Sequence, residues 1–437
     1  MRFSKRLVLV VGCLALATCG RSSDTANNTA AAPVDDPMVG SAPPPPPPTP
    51  SPPPPPPPPP VTKRVGSAPP RSGPPAGAPA GPSAKPSSAG PARAPGEPRA
   101  APRPQARRSD IAGQEATVVV SFATDRNLIG RQGQRVRFGG LRSALVYGRA
   151  EVTFPANHTI GEVERPEIWE VRENAARHVV IRRSGLLDPD TWMSGIRNRT
   201  ARSPKRRLFL FVHGYNVPFD DAVRRAAQIT YDVQFDGASL LFSWPSAGQT
   251  LGYWEDEKSV IHAEPHLETV LRDVLAKSGA EEIYIVAHSM GNRLATAVLP
   301  RIGRTDPKAR TRIKDVILAA PDIDAAVFRR DIAPALPQSA ARITLYASSK
   351  DWALKLSRTV HNFGARAGDT SGSVTIVPPI DTIDASSLSA DFLGHSYVGG
   401  SGSVLSDLRR LIDGDETPFQ RGMREKRQGS GVYWSFP

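Results

Sequence analysis

The chain has 437 residues, a net charge of +13, 46 prolines, two cysteines and only 6% aromatic residues. Thirty of the prolines and 13 basic against 5 acidic side chains fall in the first 110 residues, where Phe3 is the sole aromatic, so that stretch cannot bury a core. The remainder is close to charge balance, which argues against a nucleic-acid-binding fold, and the composition also excludes a collagen and a multi-span membrane protein.

Residues 1–6 carry three positive charges and residues 7–18 form a 12-residue apolar run, short for a bilayer span but suited to a secretory signal. Leu16-Ala17-Thr18-Cys19-Gly20 resembles a bacterial lipobox. This predicts a signal peptide over 1–19, lipidation of Cys19, and an exported protein held at a membrane of the cell envelope. The other readings are plain secretion and an uncleaved anchor. Both cysteines, Cys13 and Cys19, lie in this segment, so the rest of the chain uses no disulfide. Residues 20–112 read as a Pro/Ala-rich linker. The run at 43–60, nearly all proline, adopts polyproline II and spans roughly 55 Å.

A strand–helix alternation then predicts a single domain over 113–415. Residues 118–122 read as a strand, 144–147 and 150–154 as a pair, and 178–181 as a fourth. From 207 the pattern is regular. Strands are expected at 208–212, 239–242, 283–286, 316–319, 343–346 and 374–377, their apolar runs continuous as in strands buried on both faces. Helices are expected at 219–234, at 256–277 with an interruption near Pro265, directly after Ser289, and at 402–413. Such alternation gives a doubly wound, mostly parallel sheet with helices on both faces. Residues 416–437 show no clear pattern and are expected to pack loosely.

The chemistry concentrates at Ile283-Tyr284-Ile285-Val286-Ala287-His288-Ser289-Met290-Gly291. A buried strand runs into a serine and a helix follows at once, so the serine sits on a sharp turn where the residues two positions away on each side must be small. Ala287 and Gly291 meet that requirement. The helix N-terminus behind Ser289 favours a developing negative charge, and Met290 N–H is placed as one oxyanion donor. The strand over 208–212 ends in His213-Gly214-Tyr215-Asn216, where Gly214 allows close backbone approach and Tyr215 N–H is the second donor. His213 reads as a residue that shapes the loop, Asn216 as one that fixes it, and His288 as structural.

A serine nucleophile needs a histidine base and a carboxylate to orient it. His395, in a glycine-containing loop before the closing helix, fits the base better than His361. Asp351, after the strand over 343–346, is the favoured acid. Asp322 and Asp324 are the alternatives, with helix capping before 325–332 as their other role. No metal-ligand spacing such as His-Glu-x-x-His and no phosphate or dinucleotide loop is present, so neither cofactor nor metal is expected.

These residues together resemble the α/β hydrolase superfamily, and more closely its uncharacterised bacterial esterase/lipase-like branch. The resemblance covers roughly 115–415. It rests on Phe211-Val212-His213-Gly214-Tyr215-Asn216, Ala226-Ala227-Gln228, Phe242-Ser243-Trp244-Pro245-Ser246, Ala287-His288-Ser289-Met290-Gly291-Asn292, Ala320-Pro321-Asp322-Ile323-Asp324 and Ala123-Thr124-Asp125-Arg126. It implies hydrolysis of a small-molecule or lipid ester by a Ser289–His395–Asp351 triad through an acyl-enzyme. Only about 20 residues separate Asp322 from the next strand, too few for a lid domain, so a fairly open site is expected, with Trp244, loop 244–254 and Trp352 as possible walls. Two other classes stay open: a non-catalytic envelope lipoprotein with a degenerate pocket, and an amidase or peptidase using the same triad.

Overall fold

Among the described residues the central feature is a sheet of eleven strands in the order β10 (Arg424–Gln428), β11 (Gly431–Ser435), β9 (Asp381–Asp384), β8 (Arg342–Ala347), β7 (Ile313–Ala319), β6 (Glu282–His288), β4 (Arg207–Val212), β5 (Ala238–Ser243), β1 (Ala116–Gln132), β2 (Arg135–Phe154) and β3 (Val180–Leu187). It is seen in a computed structural model that describes residues 115–166, 172–248, 252–350, 364–388 and 404–437. The chain divides into two units, Met1–Glu97 and Pro98–Pro437, and all described residues belong to the second. Among them no helix is long and apolar enough to cross a membrane. The signal segment, the proline-rich linker and Cys19 lie outside the described residues.

The parallel centre comprises β4 (Arg207–Val212), β5 (Ala238–Ser243), β6 (Glu282–His288), β7 (Ile313–Ala319), β8 (Arg342–Ala347) and β9 (Asp381–Asp384). From β4 to β8 its strands are mainly apolar without alternation because each faces a core on both sides, whereas the short β9 is polar with two buried residues. Along β4, Leu208, Leu210 and Val212 enter one core, while Phe209 and Phe211 enter the other. Helices α1 (Pro189–Arg202), α3 (Tyr253–Lys277) and α4 (Gly291–Thr305) cover the first core. The second is covered by α2 (Phe219–Asp232) and the closing helix Val404–Gly414. That two-sided burial makes the sheet doubly wound, as the apolar runs predict.

Before β4 come β1 (Ala116–Gln132), β2 (Arg135–Phe154) and β3 (Val180–Leu187). β1 pairs in parallel with β5 and antiparallel with β2, which pairs antiparallel with β3. The two strands expected at 144–147 and 150–154 are one continuous strand, since Gly148 and Arg149 keep their ladder partners Phe122 and Ser121. Helix α3 is likewise continuous through Pro265.

Two expectations at the C-terminal side are corrected. Residues 374–377 are not a strand; among the described residues the last parallel strand before the closing helix is β9, whose Thr382 hydroxyl donates to the Thr375 carbonyl at 2.8 Å. Residues 416–437 are not a loose tail. β10 (Arg424–Gln428) and β11 (Gly431–Ser435) form a hairpin, and β11 joins the sheet in parallel beside β9 through Trp434↔Ile383 and Ser435↔Asp384. Met423 and Phe436, which flank the hairpin, are buried in the second core.

Candidate active site

Three neighbouring strands end in a left-handed residue at the same edge of the sheet. Asn216 follows β4 with φ +57°, Ser289 follows β6 with φ +49°, and Ala320 follows β7 with φ +46°. A side chain held there is strained and persists only where its surroundings over-determine it. Ser289 meets that condition. Its N–H donates to the Ala319 carbonyl at 2.9 Å. Its own carbonyl accepts from Asn292 N–H at 3.1 Å and from Asp322 N–H at 3.3 Å, and the Asn292 side-chain amide bridges it to the Ala319 carbonyl at 2.9 and 3.0 Å. The serine is therefore fixed by the end of β7 as well as by its own strand.

The small-residue requirement has a measurable basis. A Cβ on Gly291 would lie 2.3 Å from the His213 carbonyl oxygen and 2.9 Å from that of Val212. A Cβ on Gly214 would lie 2.9 Å from the Ser289 Cβ and 2.9 Å from His288 Nδ1. The elbow and the loop after β4 thus meet at van der Waals contact, which brings together the Tyr215 loop, Met290 and Ser289. Helix α4 begins at Gly291, so the positive end of its dipole lies at the serine.

His213 is buried and shapes the loop. Its Nδ1 bonds its neighbour's Gly214 carbonyl at 2.8 Å, its Nε2 meets the Ser243 hydroxyl at 3.1 Å, and its ring stacks on Trp244. Since a carbonyl only accepts, Nδ1 carries the proton and Nε2 is the acceptor. Burial, then the Arg126 charge, holds its pKa well below the ordinary value, so it is a neutral strut rather than a base. Trp244, expected as a possible wall, is fully buried and donates to the His213 carbonyl at 2.8 Å.

Two residues central to this loop went unassigned in the sequence. Arg126, from β1, is buried and spends its whole guanidinium on the site's scaffold. It donates to the carbonyls of Gly139, Ser246 and Val217, to the Ser243 hydroxyl, and to His213 Nε2. Burial lowers its pKa to about 10 against the opposing pull of Asp256 and Asp125. Asp256, in the first turn of α3, accepts from the Ser246 hydroxyl at 2.6 Å, Ala247 N–H at 2.7 Å and Asn216 N–H at 3.3 Å. Burial raises its pKa, and those hydrogen bonds oppose the shift. The acceptors of Arg126 lie 13 to 120 positions away in the chain, so no spacing announces them.

Asp351, His395, His361 and Trp352 lie outside the described residues. The two alternative acids are described. Asp322 is buried; its carboxylate accepts from the Tyr253 hydroxyl at 2.6 Å and lies 3.4 Å from Arg293 and 3.5 Å from Arg366. Asp324 caps the short helix Ala325–Val327 through the N–H groups of Ala326 and Val327. A hollow of about 190 Å³ opens beside the elbow, lined by His213, Gly214, Asn216 and His288 among others. A second, of about 350 Å³, lies on the α4 side between Arg293, Thr296, Ile323, Asp324 and Arg366.

The family described as alpha/beta hydrolase of unknown function (DUF900) matches residues 189–412. The uncharacterized protein alr1448 of a Nostoc species is 25% identical over 122 residues, which are 22% of this chain and 32% of that protein; the chain thus spans about a third of the length of that relative. Among solved structures, a predicted CIB-like hydrolase from Thermoplasma acidophilum is similar at 17% identity and a TM-score of 0.25, covering 48% of this chain and 85% of the other. A hyperthermophilic esterase from the archaeon Pyrobaculum calidifontis is similar at 10% identity and a TM-score of 0.28, covering 70% and 85%.

Proposed function

The chain belongs to the family of alpha/beta hydrolases of unknown function, and on that premise we propose that it is a serine hydrolase that cleaves carboxylic esters through Ser289. The observation that carries the reading is the left-handed Ser289, pinned at the junction of β6 and α4 with main-chain donors and a helix N-terminus around it. A serine needs no such strain to fill a turn; a nucleophile does, because the turn lifts its hydroxyl clear of the strand.

In the proposed cycle His395 removes the Ser289 proton as the oxygen attacks the ester carbonyl, and Asp351 orients the imidazole. The N–H groups of Tyr215 and Met290 hold the oxyanion. His395 then protonates the leaving alcohol, and a water repeats the sequence on the acyl-enzyme. Asp351 is preferred as the acid because Asp324 is engaged as a cap and the Asp322 carboxylate is engaged by Tyr253, Arg293 and Arg366. The same proposal places the enzyme at the cell envelope, held by a lipid on Cys19 and spaced from the membrane by the proline arm.

A fluorophosphonate probe tests the nucleophile. Labelling of the intact protein that is lost in Ser289→Ala and in His395→Ala is expected. No labelling of the wild type would favour a non-catalytic scaffold, and equal labelling of Ser289→Ala would remove the assignment. Parallel assays on p-nitrophenyl esters and the matching anilides separate esterase from amidase. A mature chain without lipid at Cys19 would contradict the anchor.

A further inference from the structure

Successive residues of a strand point to opposite faces. Midway along β1 the adjacent side chains diverge in this way, Arg126 to the loop beside Ser289 and Asp125 to His266 of α3. The Asp125 side chain is fully buried. Its Oδ2 accepts from His266 Nδ1 at 2.9 Å, while its Oδ1 has no hydrogen-bond partner among the described residues. A buried carboxylate oxygen left unsatisfied is costly and calls for a further cationic partner. One helical turn before His266, on the same face of α3, stands His262, its ring 5.5 Å from that of His266. One donor atom from each of Asp125, His262 and His266 lies within 4.8 Å of the other two.

We propose that Asp125, His262 and His266 bind one divalent transition-metal ion that clamps β1 to α3. Two imidazoles and one carboxylate are the donor set of Zn²⁺ and its neighbours, whereas Mg²⁺ and Ca²⁺ favour oxygen alone. Two histidines four apart on a helix are a recurrent half of such sites; here the sequence is His262-Ala263-Glu264-Pro265-His266, and Glu264 is turned aside onto Arg301. Ligand atoms around a bound Zn²⁺ stand roughly 3.3 Å apart, so atoms that lie within 4.8 Å of one another need to close by at most about 1.5 Å. His262 is solvent-exposed, so its ring is free to swing inward, and the same exposure gives the ion its path in. Three protein ligands leave a fourth position for water. None of the three residues belongs to the proposed triad, so the site stands or falls independently of the esterase reading.

The test uses the full chain without an affinity tag, stripped with chelator and titrated with Zn²⁺ by calorimetry and elemental analysis, with Co²⁺ as a visible-band probe of coordination. One ion per chain and a raised thermal midpoint are expected. His262→Ala, a surface change that leaves the fold intact by circular dichroism, should weaken binding at least about tenfold, and His262→Ala/His266→Ala should abolish it. A wild type that takes up no stoichiometric Zn²⁺, or a His262→Ala variant that binds as tightly as the wild type, would overturn the proposal.

Discussion

Replacing Gly291 by alanine puts a methyl 2.3 Å from one carbonyl oxygen and 2.9 Å from another, the first about 1 Å inside an ordinary carbon–oxygen contact. Both oxygens are main chain at the end of β4, where Val212 is in register with Ala287 of β6, so neither can rotate away as a side chain would. Overpacking of this kind costs about 1–3 kcal/mol, and a rigid wall places it near ~3. Alanine's better helix propensity returns at most about 1 kcal/mol at the start of α4. The net loss is ~2 kcal/mol, or a fall of roughly 3 °C in the thermal midpoint of a domain this size. Activity should fall further than stability alone implies. What must yield is the loop carrying Tyr215, and a displacement near 1 Å at an oxyanion donor costs on the order of 100-fold. Calorimetric melting of Gly291→Ala, with the rate of fluorophosphonate labelling measured well below the midpoint, checks both parts. An unchanged midpoint together with labelling at the wild-type rate would refute the tight-elbow reasoning.

Ser289→Ala and Ser289→Gly both remove the nucleophile, but only glycine releases the left-handed strain, so the glycine variant should be the more stable of the two by roughly 1 kcal/mol in urea unfolding. Equal stabilities would mean the turn is unstrained. His158 has a 3% exposed side chain held between Asp232 and Glu164, each 2.9 Å from a ring nitrogen. Burial alone would lower its pKa, but the two carboxylates win and push it up to about 9. The folded value exceeds the unfolded one of about 6.5, so this stabilisation, on the order of 3 kcal/mol, is fully present below pH 6.5 and disappears as pH rises through 9. Denaturation midpoints across that window should fall for the wild type and stay level for His158→Gln. Arg126→Lys keeps the charge but cannot reach the five acceptors that the guanidinium serves, and should lower kcat by at least about tenfold through the loop after β4. A kcat within twofold of the wild type would remove Arg126 from the positioning role.

The parts of this architecture legible in the sequence are those where burial or steric tightness constrains side-chain type. β4 and β6 announce themselves because both of their faces are buried, and the elbow does so because only Ala287 and Gly291 are small enough for its contacts. The misread segments lack that link. β9 reads Asp381-Thr382-Ile383-Asp384, a polar strand with two buried residues, while the apolar residues just before it signalled a strand that is absent. There Val374 exchanges two hydrogen bonds with the Gln428 side chain, and Ile376 packs against Gly431, so their hydrophobicity reflects docking of the terminal hairpin. Within that hairpin every residue of β10 is exposed, leaving no alternation to read. Arg126 and Asp256 escaped for another reason: their partners are mostly main-chain groups, and a carbonyl or an N–H carries no residue type.

That last point bears on how the site holds its shape. The recognisable motif marks where the chain must be small, but the elements holding the elbow and its loop are largely backbone hydrogen bonds anchored by a few buried polar side chains. Ser289 is fixed by Ala319, Asn292 and Asp322; the loop from His213 to Val217 is fixed by Arg126, Asp256, Ser246 and Trp244. Losing one of these anchors leaves several buried main-chain groups unsatisfied at once, each costing about 1–3 kcal/mol. Sensitivity to mutation should therefore follow the anchors rather than distance from the serine: Arg126, contributed from β1 and 163 positions from Ser289 in sequence, should rank among the most sensitive positions of the domain because five acceptors depend on its guanidinium.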